Sequence, residues 1–104
     1  MTPYEIVITE PAESDLNNII DYISVDLQNP LAAKKLLSKI VRQINDLQSL
    51  PKRFPLVMDN ILANQGIRKI TVDNYIVFYN VSDTNKCVTI IRILYGKRNW
   101  KDVL

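Results

Sequence analysis

Apolar and polar residues alternate at the start of the chain, and the apolar ones then recur at helical spacing. The segment "YEIVIT" at 4–9 is β-rich and predicts a first strand. Thr9 and Pro11 then mark the start of a helix predicted over about 12–27. One face of this helix carries the apolar residues Ala12, Leu16, Ile19, Ile20, Ile23 and Leu27.

A second helix is predicted directly after the first. Asn29 and Pro30 are typical of an N-cap and a first helical turn, and Pro51 ends the pattern, so the helix should reach about Leu50. Since the connection is short, we expect the two helices to form an antiparallel hairpin. The apolar stripe of the second helix comprises Leu36, Leu37, Ile40, Val41, Ile44 and Leu47.

Three more strands are predicted in the second half, at 67–72, 75–81 and 87–95, separated by short turns. The connection over 51–66 lacks periodicity and is expected to be irregular, with one helical turn near 59–65. The order β-α-α-β-β-β predicts an α+β fold in one domain over 1–104. In it, a helical hairpin packs on one face of a curved, mostly antiparallel sheet, and the other face is left open for a partner segment.

Arg92 places a charge in the middle of the last predicted strand. It alternates with Val88, Ile90 and Leu94, so one face of that strand should carry a guanidinium. Because a buried unpaired charge is very costly, Arg92 is expected to pair with an acid on a neighbouring element or to reach an open edge.

The composition narrows the possible chemistry. A single cysteine, Cys87, excludes an internal disulfide and suits a reducing cytoplasm, where we expect the protein to act. No apolar run approaches the roughly 20 residues that span a bilayer. The chain has no histidine and no cysteine cluster, so we expect neither a metal site nor a cofactor, and acid–base chemistry would need Lys, Tyr, Glu or Asp.

Positive charge is concentrated in the second half and suggests an anionic partner. Residues 51–104 hold nine Lys and Arg against four acids, whereas residues 1–50 hold four against seven. After the last strand, "YGKRNW" combines cations with aromatic rings, which can hold phosphates and stack on bases. The alternative is that Trp100 packs on the core and the cations are solvated. The candidate binding residues are Arg68, Lys69, Arg92, Lys97, Arg98, Trp100 and Lys101. Residues 67–69 and 95–98 are expected at one rim of the sheet.

Four blocks of the sequence, in this order and spacing, resemble the RelE/ParE superfamily of type II toxins. They are "YEIVITEPAESDLNNIIDYI", "DLQSLPKRFP", "IRKITVDNYIVFYNV" and "VTIIRILYGKRNW", which together span nearly the whole chain. The resemblance implies a compact toxin of the kind also called a plasmid stabilisation protein. It also implies an antitoxin that is encoded beside the toxin and binds it tightly. The free toxin could also form a homodimer, or a hetero-oligomer with the antitoxin.

RelE-like members of this superfamily enter the ribosome and cleave mRNA without a metal. The resemblance assigns Arg98 to stabilising the phosphate, with Lys97 beside it, and leaves Lys69 and Tyr95 as further catalytic candidates. The chain departs from the nuclease pattern at two positions. Ile76 stands where those nucleases place an arginine, and Leu104 replaces their C-terminal tyrosine.

ParE-like members poison DNA gyrase and catalyse no reaction. In a ParE-like protein, Lys97, Arg98 and Trp100 of this chain would be recognition residues. The helical hairpin and the "RILYGKRNW" ending favour this reading. A third possibility is a non-toxic or detoxified module that binds only an antitoxin or an RNA.

The position of Arg98 in "GKR" generates a first prediction. Arg98→Ala should lower toxic activity of either kind without unfolding the chain, because the side chain is assigned to an anionic or target contact. Growth inhibition on induced expression and circular dichroism of the purified variant measure the two effects. A well-folded Arg98→Ala protein with full toxicity would contradict the assignment.

Overall fold

The computed structural model describes residues 3–97, 100 and 103–104. It confirms the predicted β-α-α-β-β-β order, with the expected helical turn as a short third helix. The elements are β1 (Glu5–Ile8), α1 (Glu10–Asp21), a π-helical turn (Tyr22–Asp26), α2 (Pro30–Asp46), α3 (Asn60–Asn64), β2 (Arg68–Val72), β3 (Tyr75–Ser82) and β4 (Cys87–Tyr95).

The two long helices begin where the sequence predicts. The Thr9 side chain accepts a hydrogen bond from the N–H of Ala12 at 3.2 Å, and Asn29 accepts one from Ala32 at 3.1 Å. Each is followed by a proline in the first turn. At their other ends, the first helix changes to π geometry at Tyr22, and α2 ends at Asp46 rather than near Leu50.

The strands form one sheet in the order β1-β4-β3-β2. β4 pairs with β1 in parallel and with β3 antiparallel, and β3 pairs antiparallel with β2. The sheet is therefore mostly antiparallel, as predicted. The last strand of the chain lies inside the sheet, where both of its faces must be covered.

A first core lies between the helices and one face of the sheet. From α2 it takes Leu36, Ile40 and Ile44, with Leu47 just beyond the end of the helix. The prediction that Val41 belongs to this stripe is wrong, since 42% of its surface is exposed. Each helical residue turns by about 100°, so Val41 follows Ile40 out of the buried face.

A second core covers the opposite face of the sheet, which is therefore not open as predicted. Its buried members are Val57, Leu62, Ile67, Ile76, Phe78 and Leu94, and the partly buried Ile91, Trp100, Val103 and Leu104 pack against them. The irregular connection, α3 and the C-terminal tail thus supply a layer that periodicity alone does not indicate.

A β-bulge divides β4 between the two cores. Arg92 lies opposite Phe78, but Tyr79 lies opposite Ile90, so one extra residue is inserted in β4. As a result Val88 and Ile90 belong to the first core and Leu94 to the second. The expectation that Val88, Ile90 and Leu94 share one face is therefore wrong, because an inserted residue shifts the alternation by one.

Arg92 pairs with Asp15 of α1, which confirms the expected pairing with an acid on a neighbouring element. Its Nε and Nη2 donate to the two carboxylate oxygens of Asp15 at 2.6 and 2.8 Å. The carboxylate also accepts from the backbone N–H of Ile93 at 3.0 Å, just past the point where β1 stops pairing with β4. Hydrogen bonding to Asp15 raises the pKa of Arg92. One carboxylate therefore holds α1, the bulge and the free edge of β4 together.

Asp15→Ala should lower the free energy of unfolding by about 2 to 3 kcal/mol. The substitution leaves a largely covered guanidinium and a strand N–H without their acceptor, since the side chains of Arg92 and Asp15 are only 23% and 12% exposed. Urea unfolding followed by circular dichroism measures the loss.

Lys39→Ala serves as the control. It removes the pair Lys39–Asp73, whose side chains are 56% and 49% exposed, and should cost less than about 1 kcal/mol. Equal losses in the two variants would show that the Asp15 pair has no special structural role.

Candidate functional site

The structure brings Lys69 and Trp100 together over the second core. Lys69 lies on β2 opposite Phe78 of β3, and the Trp100 ring packs on the Phe78 ring with 5.1 Å between centroids. The ammonium nitrogen of Lys69 is 6.0 Å from the centroid of the Trp100 ring, at the limit of a cation–π contact. Trp100 thus packs on the core with a half-buried ring, and a cation stands over its face.

Tyr95 lies on the other side of the sheet, towards the helices. Its ring is 44% exposed and meets Tyr75 edge-on, with 5.7 Å between centroids. Tyr75 packs against the first core. Of the catalytic candidates, Tyr95 and Lys69 are therefore separated by the sheet.

The expectation that residues 67–69 and 95–98 meet at one rim is wrong for the described residues. Arg68 lies opposite Tyr79 on β3, whereas Tyr95 lies opposite Tyr75 near the other end of that strand. In a three-stranded antiparallel meander the first and third strands run the same way, so the start of one and the end of the other lie at opposite ends.

Arg68 also points away from Lys69, because neighbouring residues of a strand face opposite ways. Its Nη1 donates to the carbonyl oxygen of Phe54 at 2.6 Å. Nearby, the Tyr79 hydroxyl donates to the carbonyl of Pro51 at 2.9 Å, and burial raises the pKa of Tyr79. These bonds fasten the connection after α2 to the sheet, which favours a structural role for Arg68.

The tail departs from the sheet at Gly96. Its N–H donates to the carbonyl oxygen of Asn74 at 2.8 Å, and a Cβ at this position would lie 3.2 Å from the same oxygen. Lys97 follows with an exposed side chain. Arg98 and Lys101 lie outside the described residues, so the roles assigned to them stay predictions.

The remaining positive charge of the second half is spread over the surface. Lys52 and the Tyr4 hydroxyl both hydrogen-bond the carboxylate of Asp83, and they lower its pKa. Lys86 stands 5.1 Å above the Tyr4 ring. Arg92 is paired with Asp15, and Arg68 is bonded to the Phe54 carbonyl. The excess positive charge of the second half is therefore distributed over several separate local contacts.

Sequence reasoning did not single out Asp15, although a signal was present. The residue falls three after Ala12 and four before Ile19, so a carboxylate stands among the apolar residues of an amphipathic face. Such an acid requires a partner when the face is buried, and Arg92 was the cation that required an acid.

Within the described ranges, no helix is long and apolar enough to cross a membrane. The same residues contain no group of three or more Cys, Asp or Glu placed to hold a metal ion.

Comparison with known proteins defines the class. The sequence model of a family described as "ParE toxin of type II toxin-antitoxin system, parDE" matches residues 6–100. The chain therefore belongs to the ParE toxin family, within the wider RelE/ParE superfamily. A comparison with curated protein sequences finds no match.

Solved structures agree with this assignment. The chromosomal ParDE toxin–antitoxin system from P. aeruginosa contains a chain that is 25% identical, with a TM-score of 0.72, covering 90% of this chain and 97% of that one. A chain of the RelBE2 complex from Mycobacterium tuberculosis is 20% identical, with a TM-score of 0.63 and coverage of 89% and 98%. A chain of the intact E. coli RelBE complex is 17% identical, with a TM-score of 0.58 and coverage of 91% and 99%. The last two similarities, both under 25% identity, show a shared fold only.

Trp100→Ala should lower the free energy of unfolding by about 2 kcal/mol. This is less than the loss expected for a fully buried tryptophan, because the ring is half-buried. The reason is the lost packing on Phe78 in the second core. Urea unfolding followed by circular dichroism measures it. Met58→Ala is the control, since its side chain is 92% exposed and should change stability by less than about 0.5 kcal/mol. Two variants of equal stability would mean that the tail does not contribute to the core.

Proposed function

We propose that this protein inhibits growth by binding and poisoning DNA gyrase, as a ParE-like toxin acting in the cytoplasm. The observation that carries the proposal is apolar packing at two positions where a RelE-like nuclease needs polar groups. Ile76, which replaces an arginine of RelE-like nucleases, is a buried member of the second core. Leu104, which replaces their C-terminal tyrosine, packs against the same core.

The positions of the remaining acid–base candidates support the proposal. Metal-free RNA cleavage needs a base, cations and an acid within hydrogen-bond reach of one phosphate. Lys69 and Tyr95 lie on opposite sides of the sheet, and Lys69 stands over Trp100. These two side chains do not converge on one phosphate, whereas a protein that only binds its target needs no such convergence.

The alternative function is ribosome-dependent cleavage of mRNA. One observation favours it: Lys69 over the face of Trp100 is a cation beside an aromatic ring, a pairing that suits a phosphate and its base. In that case Lys97 and Arg98 would complete the site from the tail.

We further propose a cognate antitoxin as the partner that neutralises this chain. Membership of the ParE family supports this, as do the toxin–antitoxin systems among the similar structures. The antitoxin would cover the helices and the basic tail. The opposite face of the sheet gives no further reason to expect an antitoxin, because the chain covers that face itself.

Gyrase assays on the purified chain test the proposed function. We expect the protein to inhibit supercoiling of relaxed plasmid by gyrase and to increase the amount of cleaved plasmid, because a poison stabilises the cleaved complex. Gel electrophoresis of the plasmid, with and without the protein, measures both effects.

Primer extension on mRNA from a reconstituted translation reaction is the matching control. Intact mRNA together with inhibited gyrase supports the proposal. Ribosome-dependent cuts with unaffected gyrase would move the function to the RelE-like class. No effect in either assay would leave a non-toxic binding module.

A further inference from the structure

The two helices of the hairpin carry opposite charge. All five charged side chains from Glu10 to Asp26, which cover α1 and the π-helical turn, are acids. Four of the five charged side chains of α2 are cations, namely Lys34, Lys35, Lys39 and Arg42. The outer surface of the hairpin therefore presents an acidic helix beside a basic one.

Most of these charges have no partner on the chain itself. Three of the ten are paired elsewhere: Asp15 with Arg92, Lys39 with Asp73, and Asp46 with Arg53. The other seven are exposed. Within the described part of the chain, none of these seven, four acids of the first helix and Lys34, Lys35 and Arg42 of α2, forms an ion pair. They are available to another molecule.

The charges near the hairpin turn oppose the helix dipoles. Asp26 ends the π-helical turn and Asp21 ends α1, at a helix end that favours cations. Lys34 and Lys35 follow the first turn of α2, at a helix end that favours anions. Each helix would be more stable with the opposite charge at this end. Local helix stability therefore does not account for the arrangement, whereas contact with a second charged surface does.

An apolar seam lies between the two charged rows. Ile20, Leu37 and Val41 belong to neither core, and Val41 is 42% exposed. Because α1 packs on β4 and α2 on β2, Asp15 and Lys39 mark the two outer flanks of the hairpin. Ile20 and Val41 each lie at least about 140° around their helices from these flanks, so each is directed towards the other helix. The seam can supply the apolar centre of an interface, with the charges as its rim.

The charge pattern of this face is complementary to itself. A two-fold axis that runs parallel to the helices, along the seam, places α1 of one copy over α2 of the other. Such an axis keeps each residue at its own level of the hairpin. Asp21 then meets Lys34 of the second copy near the turn, and Glu13 meets Arg42 farther from it. Each contact occurs twice in a two-fold dimer.

We propose that the outer face of the helical hairpin is a self-association surface, through which two copies of the free chain form a two-fold dimer. The inference goes beyond the proposed function, since it does not require gyrase. A nucleic acid would be repelled by the acidic helix, and any partner of a single charge would meet one helix of its own sign. A second copy matches both helices at once. The antitoxin, which we propose to cover the helices, would displace that copy.

Sedimentation equilibrium of the purified chain tests the dimer. We expect association at protein concentrations up to about 1 mM. The dissociation constant should rise with added NaCl, because ions screen exposed charge pairs. A chain that stays monomeric over the whole range, or a dimer that is indifferent to salt, would overturn the inference.

Two charge reversals locate the contact. Asp21→Lys and Lys34→Glu should each raise the dissociation constant of the dimer by at least about tenfold, because each brings like charges together at two places. Both substitutions suit the helix dipoles, so neither should lower the unfolding temperature measured by circular dichroism. Glu5→Lys is the matched control: it changes the net charge as Asp21→Lys does, at an exposed position on β1, and should leave the dimer intact.

Mixing the two variants gives the sharpest test. Asp21→Lys and Lys34→Glu chains place opposite charges against each other at both contacts, so an equimolar mixture should regain the dimer that each variant loses alone. A mixture that remains monomeric would overturn the inference, because the two charges would then act within one chain.

Three other results would also contradict it. A dimer that neither reversal weakens would place self-association on another surface. An equal loss in Glu5→Lys would make the effect one of net charge. A monomeric chain whose affinity for the neighbouring antitoxin falls in both reversed variants would assign the face to the antitoxin alone. All of these outcomes are read without gyrase, so they are independent of the proposed function.

Discussion

The two inner strands, β3 and β4, carry apolar side chains on both faces, and the rest of the structure depends on covering them. Phe78, Tyr79 and Ile90 are fully buried. Burying a large apolar side chain contributes roughly 1.5–3 kcal/mol to the free energy of unfolding. The helical hairpin covers one face. The connection after α2, the short helix and the tail cover the other. The tail that bears the candidate functional residues is thereby fixed at Gly96 and again at Trp100.

The bulge in β4 and the carboxylate of Asp15 make this two-sided packing possible. Without the inserted residue, Leu94 would continue on the face of Val88 and Ile90, and the second core would lose a buried member. The bulge places Arg92 beside the free edge of β4, where an uncompensated charge would be costly. Asp15 accepts from both the guanidinium and the Ile93 N–H. Replacing the pair with apolar residues would leave that N–H without an acceptor. The Asp15 carboxylate therefore satisfies a backbone donor as well as the guanidinium.

Local patterns predicted the helices and strands because each signal acts within a few residues. Thr9 and Asn29 cap their helices, and alternation defines the strands. The bulge, the second core and the direction of Arg68 could not be predicted in this way. They depend on which residues pair across strands, and a shift of one residue exchanges the two faces. The candidate site was harder still. Lys69 and Trp100 meet only because the tail folds back over β3. The cavity lined by Tyr22, Tyr75 and Tyr95 joins residues more than seventy positions apart.

The second core fills the two positions at which the sequence departs from the nuclease pattern that the resemblance implies. This chain shares the fold of a chain in the intact E. coli RelBE complex, and apolar residues stand at both positions: Ile76 is buried and Leu104 packs against the same core. Such a change strengthens the core and removes polar groups that would otherwise need partners. It also leaves the opposite side of the sheet unaltered, where Tyr22, Tyr75 and Tyr95 surround open space. The two sides of the sheet share no side chains, so the packing on one side can change without altering the other.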